Sequence, residues 1–149
     1  KIVETSGLKW TDKAPFEDLT LSKALLKPTK LYVKQCLSII GVKGIRAFSH
    51  ITGGGLTENI VRTLTKGQGI EINLSNWELP PLFKWLSVTG GVDKFEMLKT
   101  FNCGIGMTII CSPSSKDKAF SLLAKLGEQP IIIGHVTNSS KVKYSGNFE

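Results

Sequence analysis

Apolar and polar positions change period several times along this chain, and each change marks a predicted element. "KIVETSG" reads as the end of a helix closed by Gly7, and "LTLSKALLKP" as a short helix stopped before Pro28. "KLYVKQCLSIIG", apolar at Leu31, Val33, Leu37, Ile39 and Ile40, predicts a helix with an extended start. "GIRAFSHI" predicts a short strand with Ile45, Ala47 and Phe48 partly inward. After three glycines, Leu56, Ile60, Val61 and Leu64 return to helical spacing, and "GIEINL" then alternates as a strand.

The second half repeats this rhythm. "PPLFKWLSVTGG" opens on prolines and closes on glycines, the usual order for a helix. "DKFEMLKTFN" predicts another short helix, and "GIGMTIIC" a buried strand. "SPSSKDKAFSLLAKLGE" predicts a capped amphipathic helix with Ala119, Leu122, Leu123 and Leu126 on one face. "PIIIGHV" and "KVKYSG" predict two last strands, the final one more exposed. Strands alternating with helices predict an α/β domain of the α+β type, with α/β/α layers around one sheet. The short link between the last two strands predicts that this sheet is mixed.

Composition bounds the reading. With 149 residues, 41% hydrophobic and 21% charged, the chain has the size and make-up of one globular domain. No apolar run approaches the roughly 20 residues that span a bilayer, and "KIVETSGLKW" lacks the apolar stretch of a signal peptide. Cys36, Cys103 and Cys111 are an odd count without metal spacing, which points to reduced thiols and a cytoplasmic setting. His50 and His135 are far apart, so no zinc site is expected. The net charge of +7 comes from dispersed lysines, with Arg46 and Arg62 the only arginines. That pattern argues against nucleic acid as a partner and leaves attraction of small anions as its use.

"SHITGGGLTENIVRTL" carries the most specific local signal. Gly53, Gly54 and Gly55 sit where a strand enters a helix. Glycines there let backbone amides form a concave nest, and the first helical turn adds free N–H groups and a positive dipole end. Thr52 and Thr57 add hydroxyls. The bland alternative is a tight turn or close helix packing. The stretch is neither a Walker A motif nor a dinucleotide fingerprint. His50, just before the junction, is a candidate catalytic residue, and Asn59 and Arg62 lie one and two turns into the helix. In "TFNCGIGM", Gly104 and Gly106 flank the start of an apolar strand. Cys103 has no histidine near it in sequence to activate it, which argues against a nucleophile.

"HITGGGLTENIVR" and "EMLKTFNCGIGM", with "LLKPTKLYVK" upstream, closely resemble the C-terminal half of the aminoimidazole ribonucleotide synthetase (phosphoribosylformylglycinamidine cyclo-ligase) family. The resemblance runs in order from Lys1 to about Val136. It implies that residues 1–149 are a C-terminal domain, with the N-terminal Mg-ATP and dimerisation domain absent. The upstream "DGVG"-type and "HSNGYSLVRK"-type segments of the family are missing here. The implied reaction uses ATP to close formylglycinamidine ribonucleotide into aminoimidazole ribonucleotide, releasing ADP and phosphate. That chemistry asks for positioning and charge neutralisation more than a covalent nucleophile.

Carried onto this chain, the resemblance places His50 as catalytic and Thr52, Gly53, Gly54, Gly55 and Asn59 against a substrate or phosphate. Asn102, Cys103, Gly104 and Gly106 become cleft support. Implied cofactors are ATP and Mg2+, the metal ligands coming mainly from the absent domain, and the whole enzyme is expected to be a homodimer. Val61 departs from the family, which often has proline there. Two alternatives stay open: another ATP-using member of the same superfamily, of the formylglycinamidine ribonucleotide synthetase, selenophosphate synthetase or thiamine-phosphate kinase type, or a basic nucleic-acid-binding module. Several of the former are expected to carry aspartate at the position of His50.

Overall fold

The computed structural model describes residues 1–148. Seven α-helices and five strands follow one another as α1 (Ile2–Ser6), α2 (Leu21–Leu25), α3 (Val33–Ile39), β1 (Ile45–His50), α4 (Gly55–Val61), β2 (Gly69–Asn73), α5 (Pro81–Gly90), α6 (Lys94–Thr100), β3 (Met107–Cys111), α7 (Lys116–Ala124), β4 (Gly134–Thr137) and β5 (Val142–Ser145), among the described residues.

Local chemistry sets several boundaries. Gly7 takes the left-handed conformation and its N–H closes α1 onto the Glu4 carbonyl. Pro81 opens α5 and left-handed Gly91 ends it. Asp93 caps α6, its Oδ1 accepting from the N–H groups of Phe95 at 2.8 Å and Glu96 at 3.2 Å. The serines before α7 do not cap it. They form a 3-10 turn, Pro113–Ser115, and spend their hydroxyls on one another and on the Ser112 carbonyl.

The architecture is mixed α/β with a mixed sheet, but the strands do not join into the one sheet expected. β1 and β3 form an antiparallel pair, and β2 lies between antiparallel β4 and parallel β5 in a separate sheet. The 138–141 link carries the chain across the end of β2, so the last two strands flank it instead of pairing together.

The main core joins Leu56 and Ile60 of α4, Ile70 and Ile72 of β2, and Met97 and Leu98 of α6. A second cluster packs Ile39 of α3 and Leu123 of α7 under Ile45, Phe48 and Ile109 of the β1–β3 pair. A third gathers Ala14, Leu21 and Ala24 with Phe16 and Trp85.

Three other expectations change. Only Thr108 of β3 is buried, because that strand has a partner on one side alone. Residues 130–133 run without a ladder, leaving Ile131 and Ile132 exposed, and only the end of "PIIIGHV" becomes β4. Leu64 and Leu126 fall beyond the ends of their helices.

Candidate functional site

The end of β1 brings the two glycine motifs together. His50 stands opposite Met107 in the antiparallel register, and Ile51 N–H donates to the Gly106 carbonyl at 2.9 Å. The triglycine loop and "FNCGIGM" are therefore neighbours in space.

Each glycine of the loop answers a different need. Gly55 is buried at φ +57°, and a side chain there would strike the Leu98 carbonyl on α6. Its N–H donates to the Thr52 carbonyl at 3.0 Å. This is close helix packing, as the bland reading held. Gly54, at φ +95°, precedes α4, with the Glu58 carboxylate folded beside it. Gly53 is exposed with open space around its Cα, and Thr52 next to it is also exposed.

Asn59 holds this loop from beneath. It is buried, and its Nδ2 donates to the carbonyls of Thr52 at 3.3 Å, Gly53 at 3.1 Å and Gly55 at 2.8 Å. Arg62 ties its Nη2 to Glu58 at 3.0 Å, with Nη1 at 3.5 Å from Asn59 Oδ1. Thr57 faces inward: its hydroxyl pairs with Tyr144 Oη at 2.8 Å. Burial pushes the Tyr144 phenol up despite that bond. Thr52 and Gly53 are thus the members of the loop most open to a ligand.

His50 is exposed and meets the Tyr32 ring edge-on, centroids 5.8 Å apart. The Tyr32 hydroxyl lies over Gly106, in space any side chain there would occupy. Lys30 Nζ sits 5.7 Å from the Tyr32 ring centre and 2.6 Å from Glu128 Oε2. Gln35 Nε2 donates to the other Glu128 oxygen at 2.8 Å. Hydrogen bonds from Lys30 and Gln35 hold the Glu128 carboxyl below its ordinary range. Tyr32 and Lys30 were not assigned a role from sequence. The available signal was an aromatic between two lysines inside "LLKPTKLYVK", one of the stretches that carried the family resemblance.

The second motif forms a rigid wall. Asn102 Oδ1 accepts from Gly104 N–H at 3.0 Å, and Gly104 lies tight against Pro80. Cys103 is fully buried at φ +49°, its Sγ–H directed at the Met97 carbonyl at 3.5 Å, and its own carbonyl accepts from Trp77 Nε1 at 2.9 Å. Burial pushes its thiol up to about 12, so it stays protonated at neutral pH.

A cleft of about 1220 Å³ opens beside this wall, lined in part by Tyr32, Gly104 and Gly106. His50 and the three glycines lie outside its lining. Among the described residues no three His, Cys, Asp or Glu side chains gather to hold a metal ion, and no helix is long and apolar enough to cross a membrane. The aspartates are engaged locally: Asp12 with the Lys9 N–H, Asp18 with Lys13, Asp93 as a cap and Asp117 with Lys116. These residues do not fit a magnesium site.

The fold is similar to solved structures. E. coli HypE, a hydrogenase maturation protein, matches with TM-score 0.63 and 19% identity over 84% of this chain. A chain of a HypE–HypF complex matches with TM-score 0.60 and 17% identity over 85%. This chain spans only 41% and 45% of those proteins. Residues 1–146 match the family described as AIR synthase related protein, C-terminal domain, and the chain belongs to that family.

Proposed function

We propose that this chain is the C-terminal domain of a cytoplasmic phosphoribosylformylglycinamidine cyclo-ligase, forming one wall of its active site. The observation that carries this reading is the meeting of the two motifs at the end of β1, which sets exposed His50, Thr52 and Gly53 along one rim. The open amides at Thr52–Gly54 receive a phosphate of substrate or nucleotide. Asn59 keeps those amides turned outward by occupying the loop's carbonyls. Glu58, whose Oε2 lies beside Gly54 and pairs there with Arg62, must swing away from Gly54 for an anion to enter.

His50 works at the reacting centre, its ring seated against Tyr32. Cys103 and Gly104 act through packing, and Gly106 through its seat for Tyr32. ATP supplies the phosphoryl group that activates the amide oxygen, and its magnesium ligands come from an N-terminal domain outside this chain. Exposed Leu31 and Val33, either side of Tyr32, belong to the surface that meets that domain, and the whole enzyme is a homodimer.

A second reading, another enzyme of the same superfamily, draws on the likeness to E. coli HypE. The deciding experiment is an assay of the full-length gene product with formylglycinamidine ribonucleotide, ATP and magnesium. ADP release coupled to imidazole formation supports the cyclo-ligase. ATP hydrolysis without ring closure removes it in favour of the second reading.

A further inference from the structure

We infer that Glu128, just beyond the end of α7, sets the working orientation of the His50 ring, acting through Lys30 and Tyr32. The catalytic consequence rests on the reacting role proposed for His50, whereas the geometry does not. His50 ends β1 on the face opposite buried Ser49, and its side chain is exposed. A working imidazole is commonly held by a hydrogen bond to its second nitrogen. Among the described residues no hydrogen bond reaches the ring nitrogens of His50, and its ring contact is Tyr32, edge-on at 65° with centres 5.8 Å apart. An exposed side chain without such a contact samples several staggered χ1 wells. Tyr32 therefore takes the orienting part that a hydrogen-bond partner would otherwise play.

Tyr32 is itself held from more than one side. Its hydroxyl lies against Gly106, where a side chain would displace it. Lys30 Nζ stands 5.7 Å from its ring centre, within the range of a cation–π contact. Tyr32 sits at the start of α3, and its side chain makes no capping bond there. What anchors that start is Glu128. Its Oε2 accepts from Lys30 Nζ at 2.6 Å and its Oε1 from Gln35 Nε2 at 2.8 Å. Lys30 and Gln35 lie on either side of Tyr32 in sequence, so one carboxylate clamps the segment that carries the ring.

Glu128 serves as a fixed point because the end of α7 is closed around it. Gly127 takes the left-handed conformation at φ +79°, and Glu128 N–H bonds the Leu123 carbonyl at 3.1 Å, the pattern of a Schellman motif. Leu123 is buried in the cluster that also holds Ile39 of α3. Glu128 is also the less exposed member of its ion pair, at 21% against 53% for Lys30. The position of the α7 end is thus carried to the rim by contiguous side chains, Glu128 to Lys30, Lys30 to Tyr32 and Tyr32 to His50.

The test reads the ring first and the reaction second. His50 and His135 are the two histidines of this chain, so their ring protons give two sets of NMR signals, told apart with His135→Gln. An aromatic ring shifts the signals of protons beside it, and positions are compared on the alkaline plateau of each titration. Tyr32→Leu is expected to move the His50 signals toward those of a free histidine. Gly106→Ala, which crowds the Tyr32 hydroxyl, should do the same and add nothing to Tyr32→Leu. Glu128→Ala should move them in the same direction. Glu128→Gln keeps an oxygen for Lys30, and Gln35, whose Oε1 has no partner among the described residues, can turn its amide to meet it. That variant should hold the parent positions even though it is expected to be less stable at neutral pH, which a merely structural role would not allow. In the full-length enzyme Glu128→Ala should lower kcat roughly tenfold and change KM by less than about twofold, with Glu128→Gln recovering most of the loss. His50 signals that stay in place in Tyr32→Leu or Glu128→Ala overturn the proposal. So does Glu128→Gln displaced as far as Glu128→Ala, or an unchanged kcat in Glu128→Ala. A parent enzyme that closes no imidazole ring sinks the cyclo-ligase reading instead, while the NMR comparison, which needs no substrate, still decides this one.

Discussion

The side-chain amide of Asn59 lies 2.8 Å from the carbonyl oxygen of Gly55, and the same nitrogen reaches the carbonyls of Thr52 and Gly53. One buried donor thus fixes the entry to α4. Asn59→Asp keeps the shape and removes the donor, setting a carboxylate against three carbonyl oxygens. We expect a loss of roughly 2 to 3 kcal/mol, the scale for a buried polar group left without its partner. Urea midpoints at neutral pH measure it, and the loss should shrink in acid, where the protonated carboxyl regains one donor.

That relationship also marks the limit of sequence reading. Asn59 was legible as a residue one turn into a helix beside a glycine loop, but its partners were not. Periodicity finds elements, and it found the glycine-closed ends of α1 and α5 because Gly7 and Gly91 act within their own turns. Division into two sheets depends on which strand edges meet, and no local pattern encodes that. The partial exposure of β3 has the same cause: "GIGMTIIC" is apolar enough for a central strand but has one neighbour. Tyr32 reaches His50 and Gly106 from a distant segment, so its place at the site emerges only from the fold.

Gly53 and Gly55 separate ligand binding from packing. Gly55→Ala forces a side chain into the Leu98 carbonyl at a positive φ, and a loss of about 3 kcal/mol or failure to fold is expected. Gly53→Ala has open space, so stability should change by no more than about 0.5 kcal/mol. In the full-length enzyme the same methyl group crowds the open amides and should raise KM for the phosphate-bearing ligand. An unchanged KM for both ATP and the ribonucleotide would remove Gly53 from the site.

The thiols should react in order of accessibility. Cys103 is sealed in the core with its thiol pushed up to about 12, while Cys36 and Cys111 are half-buried. A disulfide reagent at pH 8 should modify Cys103 last, and only as the protein unfolds. Cys103→Ala in the full-length enzyme should keep most of its turnover, with stability lowered by packing loss. A fall of several orders of magnitude in a folded variant would restore a nucleophilic role.

Glu128 gives a pH dependence with a defined sign. Its carboxyl is held below the ordinary range by hydrogen bonds from Lys30 and Gln35. A group whose folded pKa is depressed stabilises the protein above its unfolded pKa, and that contribution disappears as pH falls through the folded value. Glu128→Gln should therefore be less stable than the parent at neutral pH. The gap should close in acid, below the usual carboxylate range. Thermal melts of both proteins across pH 2 to 7 read this directly, and a gap that persists at the acid end would assign the effect to packing instead.

The 149-residue chain should fold without catalysing. Its three apolar clusters give it a core of its own, and its length lies within the usual single-domain range. Phosphoryl transfer needs metal ions bridging the phosphates, and the aspartates here are engaged with lysines, backbone amides and a helix cap. His50, Thr52 and Gly53 are exposed, so water screens whatever binds there. Catalysis needs a second wall to exclude that water and to bring the metal. The check is to assay the chain alone with formylglycinamidine ribonucleotide, ATP and magnesium, and again after adding the rest of the full-length protein as a separate polypeptide. No turnover alone and recovery on mixing is the expected outcome. Substantial turnover by the chain alone would show that its own residues assemble the nucleotide site, and the division of labour proposed for the two domains would be wrong.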